Sequence, residues 1–304
     1  MKLIEKSNSC QPDPYVLFAK GKYYIYATGQ KGVQLYCSNS LLSGWEYVGI
    51  CAYVDGQKEY WAPSVIEMDG TYYMYVSFMP QESQDVHDQA MHVLTSNSPE
   101  GPFENAMRIC PPFSIDSHVV KTEKGLFMFY SLNDYEAERA GTLIVVDRLL
   151  SPTKLEGKPH EVVRATIDEE IFMRDRFRKG QHWHTLEGAF WFYKDGMHYL
   201  MYSGNCYQNE YYYVGYATAK TSEQDLTKVK FKKYPNENSY APLLHRDDKE
   251  EGTGHNSVIL DNGEYYIVYH GREKGTVENG TDLRTARIKR LVFEGEKITA
   301  KEIY

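Results

Sequence analysis

A strand-turn-strand phrase occurs five times in this chain of 304 residues, and this repetition constrains the fold more than any other feature. Each copy has an apolar strand, a short turn containing glycine, and a second strand rich in tyrosine or phenylalanine. Such a pattern is typical of a β-hairpin. Aligned on the turn, the copies are DPYVLFAKGKYYIY from 13, APSVIEMDGTYYMY from 62, DSHVVKTEKGLFMFY from 116, EGAFWFYKDGMHYLMY from 187 and HNSVILDNGEYYIVY from 255.

Further strand patterns follow the hairpins, at 33–38, 45–50, 91–96, 103–109, 212–220 and 231–234. Four strands in each of five units predict an all-β protein: a five-bladed β-propeller with four-stranded antiparallel blades, formed by one catalytic domain over residues 1–304. No segment keeps a helical period for a dozen residues, which argues against a helical solenoid. We interpret 166–186 and 236–254 as long rim loops. The acidic run within the second loop, from Asp247 to Glu251, is predicted to be exposed to solvent.

The formal net charge of −8 argues against nucleic acids and anionic membrane surfaces as partners, because the chain offers them no basic surface. A neutral oligosaccharide suits this charge better. The first residues, MKLIEKSNSC, contain no apolar core of a signal peptide, and no apolar stretch is long enough to span a membrane. We therefore expect a cytoplasmic protein.

The cysteines are scattered and form no Cys-x-x-Cys pair, which predicts buried free thiols in place of a disulfide framework or a zinc site. They are Cys10, Cys37, Cys51, Cys110 and Cys206. The sequon Asn279-Gly280-Thr281 is interpreted as an Asn-Gly turn.

In a propeller the innermost strand of each blade runs along the central axis, so that equivalent positions near its start form a ring at one face. The alignment predicts that this ring holds Asp13, Ala62, Asp116, Glu187 and His255. Stability alone disfavours three converging carboxylates, because like charges repel once they are removed from water. The ring therefore predicts a functional site.

The order of the blades predicts how these carboxylates divide their work. Asp116 and Glu187 belong to adjacent blades, so Asp116 is expected to raise the pKa of Glu187 and to keep it protonated as a general acid. Asp13 is two blades away from either, stays ionised and acts on a water. Glycoside hydrolysis requires such a pair, with one group giving a proton to the departing oxygen and the other promoting attack.

Seven short motifs, in this order and register, resemble glycoside hydrolase family 43. They are DPYV at 13, WAPSV at 61, SPEGPF at 98, IDSHV at 115, LEGAF at 186, GHNSV at 254 and LRTARIKRL at 283. The resemblance implies an inverting enzyme with Asp13 as general base, Glu187 as general acid, and Asp116 orienting that acid and tuning its pKa. The family usually has Asp-Pro at the start of the third copy, where this chain has Ser117 after Asp116. It usually has Glu-Gly-Pro at the start of the fourth copy, where this chain has Ala189 in place of the proline. These departures bear on the subfamily and leave the carboxylates intact.

Three further residues are candidates for binding the substrate, one from the resemblance and two from their positions beside ring residues. Arg284 matches an arginine that reaches sugar hydroxyls, although a salt bridge on an outer strand is the alternative. Trp61 precedes a ring position and is either a face for stacking on a sugar or a core tryptophan. His184, just upstream of Glu187, is predicted to line the mouth of the pocket.

His255 resembles an axial histidine that lies beside calcium or water in several family members. It is therefore a candidate for substrate binding and also the candidate ligand of a structural calcium ion in the central channel. Because calcium prefers oxygen ligands, a histidine that is hydrogen-bonded without metal is an equal alternative. No cofactor is otherwise required.

The expected function is that of an exo-acting glycosidase that releases terminal α-L-arabinofuranosyl residues from xylan- or arabinan-derived oligosaccharides. The first alternative is a β-D-xylosidase that acts on xylooligosaccharides. Family xylosidases often carry a C-terminal β-sandwich, and the end of this chain at Tyr304 disfavours that alternative. The alternative from another class is a noncatalytic carbohydrate-binding propeller, which needs no acid with a raised pKa.

Overall fold

The structure, a computed structural model, describes residues 1–4, 10–277 and 283–303. Its strands form five consecutive antiparallel blades, and the first strands of the blades pack against each other around a common axis. The first blade contains β1 Tyr15–Ala19, β2 Lys22–Ala27, β3 Val33–Ser38 and β4 Glu46–Ala52. The second contains β5 Gln57–Met68, β6 Thr71–Pro80, β7 Ala90–Ser96 and β8 Glu104–Arg108.

The remaining blades follow the same order. The third contains β9 Ile115–Thr122, β10 Gly125–Asp134 and β11 Gly141–Ser151, with the short outer strands β12 Lys154–Leu155 and β13 His160–Val163. After β14 Ile171–Met173, the fourth contains β15 Trp183–Lys194, β16 Met197–Gly204, β17 Tyr213–Lys220 and β18 Lys232–Lys233. The fifth contains β19 Glu250–Asp261, β20 Glu264–Glu273, β21 Thr285–Glu294 and β22 Lys297–Lys301. Two 3₁₀ helices span Val86–Asp88 and Asp168–Glu170.

The predicted all-β propeller is confirmed, with one irregularity between its third and fourth blades. There β11 pairs in parallel with β15, through Gly141 with His184 and Thr142 with Thr185, so that the two blades join into one ten-stranded sheet. The prediction of a continuous loop over 166–186 is wrong, because β14 and the start of β15 lie within it. The start of β15 is extended because it completes hydrogen bonds along the edge of β11.

The prediction of a solvent-exposed acidic run is also wrong for its last two residues. Glu250 and Glu251 are buried at the start of β19. The Glu250 carboxylate lies 2.7 Å from Lys289 Nζ and 3.3 Å from Arg287 Nη1, and it accepts a hydrogen bond from the Tyr269 hydroxyl at 2.9 Å. A buried carboxylate is tolerated when cations and donors surround it in this way.

All five cysteines are free thiols, as predicted, although only Cys51, Cys110 and Cys206 are buried. The sequon at Asn279 lies outside the described residues. Within the described ranges, no helix has the length and apolar character needed to cross a bilayer.

Aromatic side chains close the axis of the propeller below the ring. The rings of Tyr15 and His118 lie 6.1 Å apart, and His118 stacks on Phe190 at 4.0 Å. These three residues come from the first strands of three different blades. The axis is therefore packed with side chains at this level, which leaves the site to form at the end of the strands.

The first residues of the chain close the ring between the last blade and the first. Leu3 and Ile4 are buried in a cluster that includes Val16 and Ile25 of the first blade and Ile288 of the fifth. The Leu3 amide donates to the Ala286 carbonyl at 2.9 Å. Apolar burial across this junction therefore holds together blades that are distant in sequence.

Replacing Leu3 by alanine is expected to lower the free energy of unfolding by about 2 to 4 kcal/mol, because the substitution leaves a cavity at the junction. Urea unfolding followed by tryptophan fluorescence measures this loss. The control is Leu150→Ala, whose side chain belongs to a residue that is 58% exposed, and it is expected to change stability by no more than about 0.5 kcal/mol. Equal losses in the two variants would contradict the role given to the junction.

Candidate active site

Each innermost strand has the same backbone irregularity, either within the strand or just before it. One residue in each blade has a left-handed conformation, with φ of 55° at Asp13, 46° at Ala62, 60° at Asp116, 65° at Gly188 and 43° at His255. Where pairing extends this far, its register shifts at that point, as between Trp61 and Ser64 or between Glu187 and Phe190. The left-handed region costs a residue other than glycine about 1 to 2 kcal/mol. Four of the five residues bear this cost, which requires compensation.

Part of that compensation is a hydrogen bond from the left-handed residue to the preceding blade. Fifteen positions after each left-handed residue the sequence has Thr28, Ser77, Ser131, Ser203 and His270. Three of these accept the amide of the next blade's left-handed residue, in the pairs Ala62 N to Thr28 Oγ1 at 2.8 Å, His255 N to Ser203 Oγ at 2.7 Å and Asp13 N to His270 Nδ1 at 3.1 Å. We call this contact the inter-blade hydrogen bond. It ties the ring residues of neighbouring blades together.

Between the third and fourth blades the acceptor is different. The Gly188 amide donates to Asp116 Oδ2 at 3.1 Å, and among the described residues Ser131 Oγ has no hydrogen-bond partner. The Asp116 carboxylate thus takes the place that Thr28, Ser203 and His270 occupy at three other junctions. Its side chain is directed toward the fourth blade as a result.

The register corrects one predicted ring position. The ring residue of the fourth blade is Gly188 and not Glu187. Gly188 has the left-handed backbone that Asp13, Asp116 and His255 have at the equivalent position of their blades. Glu187 lies one residue earlier, opposite Ser203. Its side chain still enters the same cavity as the other two carboxylates.

A cavity of about 690 Å³ opens above the ring, a volume within the range of small-molecule sites. Its lining includes most of the residues that the sequence singled out, namely Asp13, Trp61, Asp116, Glu187, His255 and Arg284. Within the cavity, Trp61 is half-buried and its indole N–H donates to Glu59 Oε2 at 3.1 Å. The Arg284 guanidinium lies 4.7 Å from the centre of the Tyr207 ring. Trp61 and Arg284 therefore face the cavity, as a sugar-binding role requires.

His184 does not line this cavity, so the prediction that it contacts the substrate is corrected. It is buried on β15, where Nδ1 lies 3.1 Å from the Ala140 carbonyl and Nε2 lies 3.1 Å from Arg139 Nη1. The reason is the pairing of β15 with β11, which directs this side chain into the junction between the third and fourth blades. His184 is a structural residue of that junction.

Asp13 is held as a carboxylate. The Thr28 hydroxyl donates to its Oδ2 at 2.5 Å, while Oδ1 lies 3.2 Å from His270 Nδ1, 3.4 Å from His255 Nδ1 and 3.9 Å from Arg284 Nη1. Burial alone would raise the pKa of Asp13, but these three neighbours outweigh burial and bring it well below its usual range. Burial also lowers the pKa of both histidines, that of His270 to about 4, so Arg284 is the permanent positive charge in this group.

Asp116 and Glu187 both have a raised pKa, in contrast to Asp13. Burial is the largest cause that raises the pKa of Glu187, to about 7, and the charge of Asp13 adds to it. Burial and the charges of Glu187 and Asp13 raise the pKa of Asp116 well above its ordinary value. Asp116 and Glu187 are therefore both held toward their protonated forms, while Asp13 is held in its ionised form. Burial, more than the adjacent carboxylate, separates the acid from the base.

His255 lies between the carboxylates, with Nδ1 at 3.4 Å from Asp13 Oδ1 and 3.8 Å from Asp116 Oδ2. Across the described ranges, no group of three or more His, Cys, Asp or Glu side chains is arranged to hold a metal ion. Calcium takes six to eight oxygen ligands, and these protein side chains do not supply them. We assign no step to a metal, and the role of His255 as a metal ligand stays a prediction.

Reasoning from the sequence missed three residues that position the carboxylates: Thr28, Tyr212 and His270. A signal for two of them was present, because Thr28 and His270 occupy the position fifteen residues after the left-handed residue. Tyr212 gave no such signal. It follows a loop of the fourth blade, and only the fold brings it to Glu187, whose Oε1 accepts its hydroxyl at 2.8 Å.

Comparison with known sequences agrees with this geometry. The sequence profile of "Glycosyl hydrolases family 43" matches residues 7–297. A relative from Aspergillus oryzae, "Probable arabinan endo-1,5-alpha-L-arabinosidase B", is 33% identical over 93 residues, which are 29% of this chain and 25% of the relative. The chain therefore matches about a quarter of the length of this relative.

Solved structures are similar over nearly the whole chain. A thermostable family-43 glycoside hydrolase has 29% identity and a TM-score of 0.78, covering 96% of this chain and 93% of its own. An endo-1,4-beta-xylanase from Bacteroides thetaiotaomicron has 25% identity and a TM-score of 0.76, covering 96% and 94%. An alpha-L-arabinofuranosidase from Lactobacillus brevis has 19% identity and a TM-score of 0.75, covering 96% and 93%, and this likeness shows the fold alone.

Replacing Asp116 by asparagine is expected to increase stability at alkaline pH. Because the pKa of Asp116 is raised in the folded state, the folded protein binds this proton more tightly than the unfolded chain, and wild-type stability falls as pH rises above the unfolded value of about 4. The variant carries no charge at this position. Its free energy of unfolding, measured in urea, should therefore fall less than that of the wild type between pH 5 and pH 8.

The matched control is Asp69→Asn, which changes an exposed aspartate that also has a left-handed backbone, with φ of 53°. This variant should follow the wild-type pH dependence. If Asp116→Asn loses as much stability as the wild type over the same interval, the raised pKa of Asp116 is refuted.

Proposed function

This chain belongs to glycosyl hydrolases family 43, and we propose that it is an inverting α-L-arabinofuranosidase that acts on xylan- or arabinan-derived oligosaccharides. At the coarser level it is a glycosidase of a family whose members act on arabinan and xylan. The observation that carries the proposal is a carboxylate held ionised and a carboxyl held protonated in one cavity. That pairing is what hydrolysis of a glycosidic bond requires.

In the proposed reaction Asp13 is the general base. Its Oδ2 is occupied by the Thr28 hydroxyl, so Oδ1 is the oxygen that takes a proton from the attacking water. Glu187 gives its proton to the departing glycosidic oxygen as the bond to the anomeric carbon breaks. The water oxygen forms its new bond to that carbon from the opposite face, and the configuration is inverted.

Asp116 supports the acid without touching the reacting atoms. Its Oδ2 accepts the Gly188 amide, so it is fixed beside the residue that follows Glu187. A charge on Asp116 would repel the charge left on Glu187 after proton transfer, and this repulsion draws a proton back to the pair. Asp116 therefore favours return of the acid to its protonated form.

The preference for arabinofuranosyl residues is supported by the comparison with the Aspergillus protein, whose name describes hydrolysis of an α-L-arabinosyl linkage. A β-D-xylosidase remains the alternative within the same chemistry. The noncatalytic propeller is disfavoured, because a binding module gains nothing from an acid whose pKa is raised to about 7 beside an ionised carboxylate.

A second candidate is endo-action on a longer chain, and the shape of the cavity favours it. The cavity continues from the carboxylates across the first blade to Tyr47 and Ile50 of β4, residues that are 55% and 46% exposed. A cavity of this extent has room for more than the single sugar unit that an exo-enzyme must hold. Arabino-oligosaccharides as the first products from debranched arabinan would favour endo-action, whereas arabinose alone would favour exo-action.

The substrate class is tested with p-nitrophenyl α-L-arabinofuranoside and p-nitrophenyl β-D-xyloside. We expect faster release of nitrophenol from the arabinofuranoside, and a loss of about 10² to 10⁴-fold in kcat/KM for Asp13→Asn and for Glu187→Gln on an oligosaccharide. On the nitrophenyl substrate Glu187→Gln should lose less, because nitrophenolate departs without a proton. Failure of the wild type to hydrolyse either glycoside or debranched arabinan, with sugar binding retained, would support the noncatalytic propeller.

The pH dependence of kcat/KM provides a separate test of the two roles. Activity needs Glu187 protonated and Asp13 ionised, so we expect it to fall as pH rises above about 7. On the acidic side, activity should persist below the usual range of an aspartate, because the pKa of Asp13 is lowered. Initial rates between pH 3 and pH 9, at pH values where the fold is intact, measure both limbs. An alkaline limb near pH 4 would contradict the assignment of Glu187.

A further inference from the structure

Tyr212 makes a hydrogen bond to the Glu187 side chain from inside the cavity. Its hydroxyl donates to Glu187 Oε1 at 2.8 Å, and the residue is 1% exposed although it lines the cavity. Tyr212 lies at the end of the loop between β16 and β17 and is the first residue of the strand pattern predicted at 212–220. The contact is made by a buried side chain from a different segment than the strand that carries the acid.

The ring of Tyr212 is held by two neighbours, His270 and Gly254. On one side it stacks on His270, with ring centres 5.7 Å apart and planes inclined by 9°. On another side it lies against the backbone of Gly254, where an added Cβ would be 1.9 Å from Tyr212 Cε1. Gly254 is thus needed for the close approach of this ring. A side chain packed in this way has little freedom to rotate away from Glu187.

The stacked rings of Tyr212 and His270 connect the proposed acid, Glu187, with the proposed base, Asp13. His270, under the Tyr212 ring, accepts the Asp13 amide at Nδ1 and has that atom 3.2 Å from Asp13 Oδ1. One rigid pair of rings therefore contacts the acid at one end and the base at the other. The separation of the two carboxyls depends on this pair as well as on the strands that carry them.

The Tyr212 hydroxyl determines which oxygen of Glu187 carries the proton. A phenol has one proton, and Tyr212 donates it to Oε1, so the transferable proton of Glu187 lies on Oε2. The same donation favours the ionised form of Glu187 and opposes burial. The hydroxyl therefore fixes the oxygen that carries the proton and also eases its release.

Other titratable groups act on Glu187 from the surrounding elements. They are Asp13 before β1, Asp116 of β9, Cys206 of the loop after β16, His255 of β19 beside Gly188, and Arg284 before β21. None of these changes when the hydroxyl of Tyr212 alone is removed. An effect of that removal on the titration of Glu187 can thus be attributed to the hydroxyl.

We propose that Tyr212 is a positioning residue that directs the acidic proton of Glu187 toward the glycosidic oxygen and, through His270, sets the acid relative to Asp13. This inference rests on the proposed function for its kinetic consequences. The geometry that carries it is independent of which sugar the enzyme accepts.

The test is Tyr212→Phe, assayed on the glycoside that the wild type hydrolyses best. We expect kcat to fall about tenfold or more with a smaller change in KM, because a hydrogen bond to a charged group is lost at the acid and not at the sugar. The alkaline limb of the kcat profile should move to higher pH, because the donor that stabilised the Glu187 carboxylate is gone. A purely structural role would lower kcat without moving this limb.

A second substitution keeps the aromatic ring and is expected to shift the alkaline limb in the opposite direction. Replacing Tyr212 by 3,5-difluorotyrosine makes the hydroxyl a stronger donor, so the alkaline limb should move to lower pH. The control is Tyr213→Phe, which removes a buried hydroxyl from the adjacent position, where it donates to Glu170 Oε1 at 3.3 Å away from the cavity. This control should retain the wild-type limb.

The titration of Glu187 by NMR, with ¹³C-labelled glutamate, separates this inference from the proposed function. If the wild type hydrolyses neither glycoside, the proposed function fails, and the midpoint for Glu187 still has to rise in Tyr212→Phe and fall in the difluorotyrosine variant. If the midpoint is the same in all three proteins, or moves equally in Tyr213→Phe, the inference about Tyr212 is overturned.

Discussion

The left-handed residue in or just before each innermost strand is the constraint on which the site depends. It bends the strand at the point where the five blades converge, and its amide is turned toward the preceding blade, where three of the five amides meet Thr28, Ser203 or His270. The strain of about 1 to 2 kcal/mol at such a residue is comparable to the net value of a hydrogen bond, about 0.5 to 1.5 kcal/mol. The bend can therefore be kept at little net cost, and it places functional side chains at one end of the axis.

Different neighbours of Asp13 and Asp116 explain why a base and an acid coexist in one small cavity. Asp13 is beside Arg284 and accepts the Thr28 hydroxyl, so its charge is stabilised. Asp116 replaces a second-strand acceptor and is brought next to the fourth blade, where its charge acts against that of Glu187. Three buried carboxyls would destabilise the fold if all were ionised, and the raised pKa values of Asp116 and Glu187 reduce that cost.

The sequence was sufficient to predict the blades, because a phrase repeated five times carries its own register and turn signals. It also identified the three carboxylates and the arginine that line the cavity. It placed Glu187 one residue out of register. The turn glycine follows Asp13, Ala62 and His255 by eight residues, and in the fourth blade the residue eight positions before Gly196 is Gly188. The constant spacing of fifteen residues to the second-strand side chain would have identified Gly188 as the ring residue.

Other errors arose where tertiary contacts override local character. His184 was predicted in the pocket because it is close to Glu187 in sequence, but the parallel pairing of β15 with β11 buries it in the blade junction. Glu250 was predicted in solvent because it belongs to an acidic run, but Arg287 and Lys289 of β21 compensate its charge. No local pattern reports such partners, since they lie on strands that are distant in the sequence.

The most direct test of the proposed division of work between Asp13 and Glu187 is the configuration of the first sugar released. Proton NMR of a concentrated reaction with an α-L-arabinofuranoside shows the anomeric signal before mutarotation mixes the two forms. If Asp13 acts as a base on a water molecule, the configuration is inverted and β-L-arabinofuranose is formed first. If α-L-arabinofuranose is formed first, Asp13 attacks the sugar itself, and the roles argued from this cavity are wrong.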